Sequence, residues 1–297
     1  MLIVSYNIQF GCGRDGKVDL SRIARTVAAA DLILLQEVER HWRPAHGDQA
    51  EELARLLPGY RWVHGPAVDL DGSSIGADGR VDNKRRQVGL MILSRAPILS
   101  TRRLVLDKVP VRGKIADDAL LLEAVIAAGR SGMRVYDTHL SYLSQRQRQR
   151  QVEQIRSFIQ SAVFHGPAIV GDGVDPQAFK ADWVELDAAA LPPMPAPAII
   201  MGDFNMTPRS PEYESLVGAL DPVYGRLVEA DRFADVLALA GVAEKDGVTF
   251  PGSRGKQPKR IDHGFVTADL AGAVKRAWID DAADGSDHQP VWVELDI

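Results

Sequence analysis

Short apolar runs typical of β-strands recur from one end of the chain to the other. They occupy residues 2–6, 32–35, 88–93, 120–126, 133–138, 198–201, 261–266 and 291–297. Stretches with helical periodicity separate some of these runs, and turn-rich segments separate others. This mixture predicts two packed sheets with helices outside them rather than a regular alternation of strand and helix.

Two helices can be placed from the pattern alone. Asp19 is a candidate N-cap for a helix in which Leu20, Ile23 and Val27 share one face. Residues 151–160 also carry apolar side chains at helical spacing, and the RQRQRQ run at 146–151 is interpreted as the solvated first turns of that helix. Two stretches, 69–87 and 165–197, break the pattern and are predicted to be long surface loops.

The composition is that of an ordinary globular protein. Hydrophobic residues make up 45% of the chain and charged residues 25%, which excludes disorder, collagen and coiled coil as descriptions of the whole chain. The single cysteine, Cys12, cannot form an intrachain disulfide, and the short N-terminal apolar run is not typical of a signal peptide. We therefore expect a cytoplasmic protein without a membrane anchor, and a monomer is the default expectation.

Several apolar runs are bordered by a carboxylate, amide or imidazole side chain. Those side chains are Asn7, Glu37, His139, Asp203 with Asn205, and Asp287 with His288. Ligand sites gather where strand ends meet at one edge of a sheet, so we expect a single site. Oxygen ligands without a thiolate cluster favour Mg²⁺, with Mn²⁺ as the alternative, over Zn²⁺. Histidines beside such a cation can supply the proton acceptor and donor for phosphoester hydrolysis.

Seven motifs together resemble the endonuclease/exonuclease/phosphatase superfamily over nearly the whole chain. They are SYNIQ at 5–9, LLQEVE at 34–39, ILSRAPI at 92–98, DTHLS at 137–141, GDFNMTP at 202–208, TFP at 249–251 with RIDHGFV at 260–266, and SDHQPV at 286–291. Each motif alone is weak, whereas their joint occurrence in the family's order is specific. The resemblance implies an α+β fold, a four-layer αββα sandwich with two mixed sheets face to face. It also implies one domain over 1–297, with insertions near 69–87 and 165–197.

The resemblance also implies roles for individual residues. Glu37 would bind Mg²⁺, with Asn7 beside it and Asp287 as a further metal-site carboxylate. Asp203 would orient or deprotonate the attacking water or bind a second metal, and Asn205 would donate to a phosphoryl oxygen. His139 would hydrogen-bond the phosphoryl group, and Asp262 would orient His288. Whether Asp203 or His288 accepts the proton stays open at this point.

These inferences predict a Mg²⁺-dependent phosphodiesterase whose substrate is a small phosphoester, a lipid head group or a nucleic acid. A DNA or RNA endonuclease or exonuclease is the first alternative, supported by basic segments at 84–86 and 254–260 and opposed by the net charge of −5. A non-catalytic binding module on the same fold is the second. The remaining histidines match no functional position of a motif and are expected on the surface or in loops; they are His41, His46, His64, His165 and His263.

Overall fold

Two six-stranded mixed sheets lie face to face in the computed structural model, which describes residues 1–129, 132–168, 193–227, 229–252 and 255–297. The strands are β1 (Leu2–Asn7), β2 (Leu32–Arg40), β3 (Arg61–Asp71), β4 (Ser74–Ile75), β5 (Val81–Asp82), β6 (Arg85–Ser94), β7 (Ile98–Leu106), β8 (Ala119–Ile126), β9 (Met133–His139), β10 (Ala198–Asp203), β11 (Leu220–Asp221), β12 (Gly225–Arg226), β13 (Phe233–Asp235), β14 (Asp262–Thr267), β15 (Val274–Ile279) and β16 (Val291–Leu295). The α-helices are α1 (Leu20–Val27), α2 (Gln49–Leu56), α3 (Gln145–His165), α4 (Pro211–Val217) and α5 (Val236–Leu239).

Each large sheet is built around a central parallel pair, β1 with β2 in the first sheet and β9 with β10 in the second. The strand orders are β15-β16-β1-β2-β6-β3 and β13-β14-β10-β9-β8-β7. The other neighbouring strands in both sheets run antiparallel. The two orders correspond strand for strand, and each sheet therefore presents the carboxyl ends of one parallel pair.

Alternation of side chains along the strands divides the interior into layers. Leu32 and Leu34 face the opposite sheet, whereas Ile33 and Leu35 face the helices. Because the sheet is covered on both faces, none of these positions has to be polar. This double coverage explains why the strand reads as the continuous apolar run LILL.

The helices cover the outer faces of the two sheets. Ile23 of α1 and Leu53 of α2 pack against the first sheet, while Ile155 of α3 and Leu216 of α4 pack against the second. The predicted α+β fold with an αββα arrangement is therefore confirmed. The predicted cap is present as well, because the Asp19 carboxylate accepts from two backbone N–H groups in the first turn of α1.

Two segments differ from their sequence-based description. Residues 69–87 are not a plain loop, because β3 and β6 stay paired as far as Asp71 and Arg85 and the short β4–β5 hairpin follows. The pattern missed this arm because its strands are exposed and carry no continuous apolar run. In the RQRQRQ run, Gln147 and Gln151 are buried, so the start of α3 is not simply solvated. Residues 169–192 of the second predicted loop lie outside the described residues.

None of the helices in the described part of the chain combines the length and the apolar composition that spanning a bilayer requires.

Candidate active site

The carboxyl ends of the two parallel pairs bring polar side chains from both sheets together. Asn7 ends β1, Asp203 ends β10, and Glu37 lies within β2. The Asn7 Nδ2 atom donates to Glu37 Oε1 at 3.2 Å and to Asp203 Oδ2 at 3.0 Å. A single amide thus joins carboxylates that belong to opposite sheets.

Two of the site residues have backbone conformations in the left-handed region. Glu37 has a φ of 59° and Asn205 a φ of 50°. Glu37 lies where the register of β2 against β6 shifts between Leu35 and Val38, which is the signature of a bulge. A bulge redirects a side chain that would otherwise follow the strand's alternation, and such a conformation costs roughly 1–3 kcal/mol outside glycine. Strain in the backbone therefore coincides with the predicted site.

Asp203 stands at the centre of the cluster and is only 2% exposed. Its Oδ1 atom accepts the backbone N–H of Asn205 at 2.9 Å. The Nε2 atom of His139 lies 3.4 Å from Asp203 Oδ2, and that of His288 lies 3.8 Å from the same oxygen. The carboxylate is thereby fixed between two imidazoles from different parts of the chain.

His288 and Asp262 form a buried pair, in which Nδ1 lies 2.9 Å from Asp262 Oδ2 and 3.1 Å from Oδ1. Burial alone lowers the pKa of His288, but the three carboxylates around it, led by Asp262, outweigh burial and raise that pKa to about 10. Burial raises the pKa of Asp262 to about 6, although the charge of His288 opposes the increase. At neutral pH the pair is therefore an imidazolium with a carboxylate.

Asp287 lies on the other side of His288 and contacts a residue that the sequence analysis did not assign. Gln9 Nε2 donates to Asp287 Oδ2 at 2.9 Å, and Asp287 Oδ1 lies 4.0 Å from His288 Nε2. Gln9 lies two residues after the end of β1, within the SYNIQ motif. Its polar side chain, close to the end of a strand, is the sequence signal that could have identified Gln9 as a residue of the site.

A second missed contact lies beneath the site, between the sheets. Gln36, the residue before Glu37, donates through Nε2 to Asp137 Oδ1 at 2.6 Å, and both side chains are fully buried. Burial raises the pKa of Asp137 well above its usual value. This polar bridge connects β2 with β9 directly behind Glu37 and His139.

All eight predicted site residues lie in this one cluster. They are Asn7, Glu37, His139, Asp203, Asn205, Asp262, Asp287 and His288. Two amides are partly engaged elsewhere, because Asn7 Oδ1 accepts the backbone N–H of Gln9 at 3.0 Å and Asn205 Nδ2 donates to the Leu140 carbonyl at 2.9 Å. The individual catalytic and metal-binding roles stay predictions.

The cluster opens into a cleft of about 940 Å³. In the described ranges, no lysine or arginine forms an ion pair with Glu37, Asp203 or Asp287; their partners within 4 Å are histidines. Carboxylates that face a cleft without a basic partner provide the oxygen-rich surroundings that a hard divalent cation favours. The residues present therefore fit Mg²⁺ or Mn²⁺.

One group of three residues has the spacing of a metal site, since ligand atoms of Asp203, Asp262 and His288 lie within 4.8 Å of one another. Nδ1 of this histidine is already hydrogen-bonded to Asp262, and an imidazole is a poor ligand for Mg²⁺. The carboxylates of Glu37 and Asp287 are the better match for such an ion.

Known proteins resemble this chain over most of its length. The family model described as "Endonuclease/Exonuclease/phosphatase family" matches residues 4–288. No curated protein matches the chain.

Solved structures share the fold across the whole chain. An endonuclease/exonuclease/phosphatase from Beutenbergia cavernae has 22% identity and a TM-score of 0.61, and the match covers 99% of this chain and 71% of that one. The mannosyl-6-phosphatase Bt3783 from Bacteroides thetaiotaomicron has 18% identity and a TM-score of 0.62, with 100% of both chains covered. Truncated TDP2 from Caenorhabditis elegans has 16% identity and a TM-score of 0.60, with coverage of 99% and 96%.

Proposed function

The chain belongs to the endonuclease/exonuclease/phosphatase family and is a phosphoester hydrolase, and from this premise we propose that it is a Mg²⁺-dependent phosphodiesterase. The observation that carries the proposal is the approach of the Glu37 and Asp203 carboxylates to one Asn7 amide, beside two imidazoles and facing a cleft. Residues from both sheets meet there, and their side chains would supply what in-line hydrolysis requires, namely ligands for a cation, a proton acceptor and hydrogen-bond donors around one space.

Each group has a place in this proposal. Glu37 and Asp287 would hold the cation, with Asn7 beside them, and the cation when bound would supply positive charge toward the phosphoryl oxygens. The contact with Asp262 keeps His288 a proton donor toward a phosphoryl or leaving-group oxygen, and His139 faces the same space. Asp203, held by two N–H donors, is then the group that orients the attacking water and accepts its proton.

The charges near the reacting centre favour a diester over a monoester. The basic side chains within 4 Å of Asp203 are two imidazoles, His139 and His288, whereas Arg43, Lys256 and Lys259 line the cleft without pairing with the catalytic carboxylates. A diester carries one negative charge and a monoester up to two, so the monoester needs more neutralisation at the centre. The mannosyl-6-phosphatase among the structural neighbours makes a sugar phosphomonoester the competing substrate class.

A substrate panel tests this assignment. Bis(p-nitrophenyl) phosphate, p-nitrophenyl phosphate, mannose 6-phosphate, an oligonucleotide and a phospholipid are assayed with Mg²⁺, Mn²⁺ and EDTA. We expect turnover of diesters with either metal and its loss in EDTA. Faster turnover of monoesters, or turnover in EDTA, would contradict the proposal.

Replacing the carboxylate of Glu37 by an amide, Glu37→Gln, removes one negative cation ligand at almost constant volume. We expect kcat/KM for bis(p-nitrophenyl) phosphate to fall on the order of a thousandfold. Glu294→Gln is the matched control, because Glu294 also lies on a strand of the first sheet but does not line the cleft, and it should stay within twofold. A binding module without catalysis would show no activity in either protein.

A further inference from the structure

An arginine that the catalytic assignment does not use lies on the wall of the cleft. Arg43 lines the same cleft as Glu37 and His288, and its guanidinium is 4.4 Å from the centre of the Phe10 ring. Its Nε donates to the buried Glu39 carboxylate at 3.0 Å. Among the described residues this is the only hydrogen bond of the guanidinium. Its Nη2 atom is buried without a partner, and its Nη1 atom has none either.

The arginine is held from behind by buried groups. Glu39 is fully buried, and its second oxygen lies 2.5 Å from His46 Nδ1. The backbone N–H of Glu39 donates to Gln49 Oε1 at 3.3 Å, and Gln49 Nε2 donates to the Phe10 carbonyl at 2.7 Å. The carboxylate under Arg43 and the ring in front of it are therefore parts of one connected support.

The same support is connected to the catalytic cluster. Phe10 has a φ of 56°, an unusual conformation for an aromatic residue, and follows Gln9, which also has a positive φ and donates to Asp287. The short segment from Asn7 to Phe10 thus fixes the position of the Arg43–Phe10 pair relative to Asp287. A guanidinium fixed in this way, with N–H groups that lack a protein partner on the wall of a cleft, is suited to charge-assisted hydrogen bonding with a phosphate.

We propose that Arg43, stacked on Phe10, is a specificity-determining residue that binds a second phosphate of the substrate, next to the scissile phosphate on the Asp287 side. This inference rests on the proposed function and names its substrate class: a phosphodiester that carries a further phosphate, either in a polynucleotide backbone or in a small bisphosphorylated molecule. Lys256 and Lys259 line the same cleft and add positive charge along it. The net negative charge of the chain is thus compatible with a cleft that selects polyanions.

Kinetics with substrates of one and several phosphates tests the proposal. For Arg43→Ala, we expect kcat/KM on trithymidylate to fall about tenfold or more, mainly through KM, because the contact binds ground state and transition state alike. On bis(p-nitrophenyl) phosphate, which has a single phosphate, the rate should change by less than twofold. Equal losses on both substrates would overturn the proposal.

Arg86→Ala is the matched control. Arg86 also lies over an aromatic ring, at 5.0 Å from the centre of Trp42, but it does not line the cleft. We expect its loss on trithymidylate to stay below twofold. A loss as large as that of Arg43→Ala would mean that general surface charge, and not a defined subsite, is responsible. Arg43→Lys keeps a positive charge beside the buried Glu39 and therefore controls for misfolding of Arg43→Ala. Because lysine lacks the planar guanidinium, we expect its kcat/KM on trithymidylate to lie between those of the wild type and Arg43→Ala.

Binding separates this inference from the proposed function. Fluorescence polarisation of fluorescein-labelled trithymidylate is measured with Mg²⁺ in a His288→Ala background, which removes turnover. Arg43→Ala in that background should weaken binding about tenfold. This contrast holds even if the wild-type protein cleaves no diester, in which case the proposed function fails and the subsite stands; equal binding by both proteins would overturn the subsite.

Competition identifies the source of the second phosphate. Unlabelled trithymidylate is compared with fructose 1,6-bisphosphate, and fructose 6-phosphate serves as the single-phosphate control. Stronger displacement by the bisphosphate, lost in Arg43→Ala, assigns the subsite to small bisphosphorylated substrates. Stronger displacement by trithymidylate, lost in the same variant, assigns it to a nucleic-acid backbone. Displacement by either ligand that does not depend on Arg43 would overturn the proposal.

Discussion

Two histidine–aspartate pairs lie on opposite faces of the same sheet and have opposite electrostatics. On the cleft side Asp262 binds His288, whose pKa is raised to about 10. On the helix side the adjacent residue, His263, has Nδ1 3.9 Å from Asp235, and its pKa is lowered to about 4 by burial, with Arg260 contributing. The same two residue types therefore hold a charged imidazole in one place and a neutral one in the other.

The difference depends on what else each carboxylate contacts. Asp235 pairs with the buried Arg260 guanidinium and accepts a hydrogen bond from Tyr213 Oη at 2.8 Å. The positive charge of Arg260 therefore already balances the negative charge of Asp235. Asp262 has no arginine or lysine partner in the described ranges, and His288 supplies the positive charge. Asp235 also acts to raise the pKa of His263, but burial and the charge of Arg260 together outweigh it.

The largest expected effect concerns the charged histidine. His288→Ala removes the proton donor, and we expect kcat/KM on bis(p-nitrophenyl) phosphate to fall about 10⁴-fold with Mg²⁺ affinity largely retained. His263→Ala, the counterpart on the other face, should change the rate by less than tenfold while lowering the thermal midpoint. Similar losses of activity in the two variants would contradict the different roles assigned to His288 and His263.

A smaller effect is expected on stability from Asp235→Asn. This change leaves the Arg260 guanidinium, which is 4% exposed, without a buried counter-charge. We expect the free energy of unfolding to fall by about 4 kcal/mol, measured by urea denaturation. Asp231→Asn, at an exposed aspartate nearby, should cost less than about 0.5 kcal/mol. A loss below about 1 kcal/mol for Asp235→Asn would show that this ion pair does not stabilise the fold.

The smallest effect is the pH dependence of stability that His263 contributes. Its pKa is about 4 in the folded chain and about 6.5 when unfolded, so between these values the unfolded chain binds the extra proton. The stability contribution is complete above about pH 6.5 and is lost as pH falls toward 4, by about 3 kcal/mol for this shift. His263→Gln should lessen the loss between pH 7 and 4.5 in urea titrations. Parallel curves for both proteins would contradict the assignment.

The central strands, and the meeting of the eight candidate residues in one place, could be predicted because both leave strong signals. The runs at 2–6 and 32–35, buried on both faces, are continuous and apolar, and Asn7 and Glu37 interrupt that apolar pattern. The edge strands β3 and β7 were missed because many of their positions are exposed and polar. An edge strand with one solvated face carries a weaker hydrophobic pattern than a central strand.

Burial of individual polar side chains was harder to infer. The surface location expected for His263 is wrong, since the residue is fully buried between Phe204, Tyr213 and Phe265. Alternation along β14 directs the side chains of Asp262 and His263 to opposite faces of the sheet. It does not reveal which elements cover the face that His263 is on. Gln147 and Gln151 were missed for the same reason. The contacts that bury them come from segments far away in the sequence, which a local pattern does not contain.

The amide of Asn7 joins carboxylates mounted on separate sheets, so the apolar interior between those sheets determines how far apart they stand. Leu34 and Leu122 belong to that interior and do not line the cleft. A displacement of about 1 Å at a reacting centre can cost about a hundredfold in rate. Mutational screens that measure only turnover would therefore identify interior leucines as catalytic residues. A structural measurement is needed to distinguish such leucines from residues that take part in the chemistry.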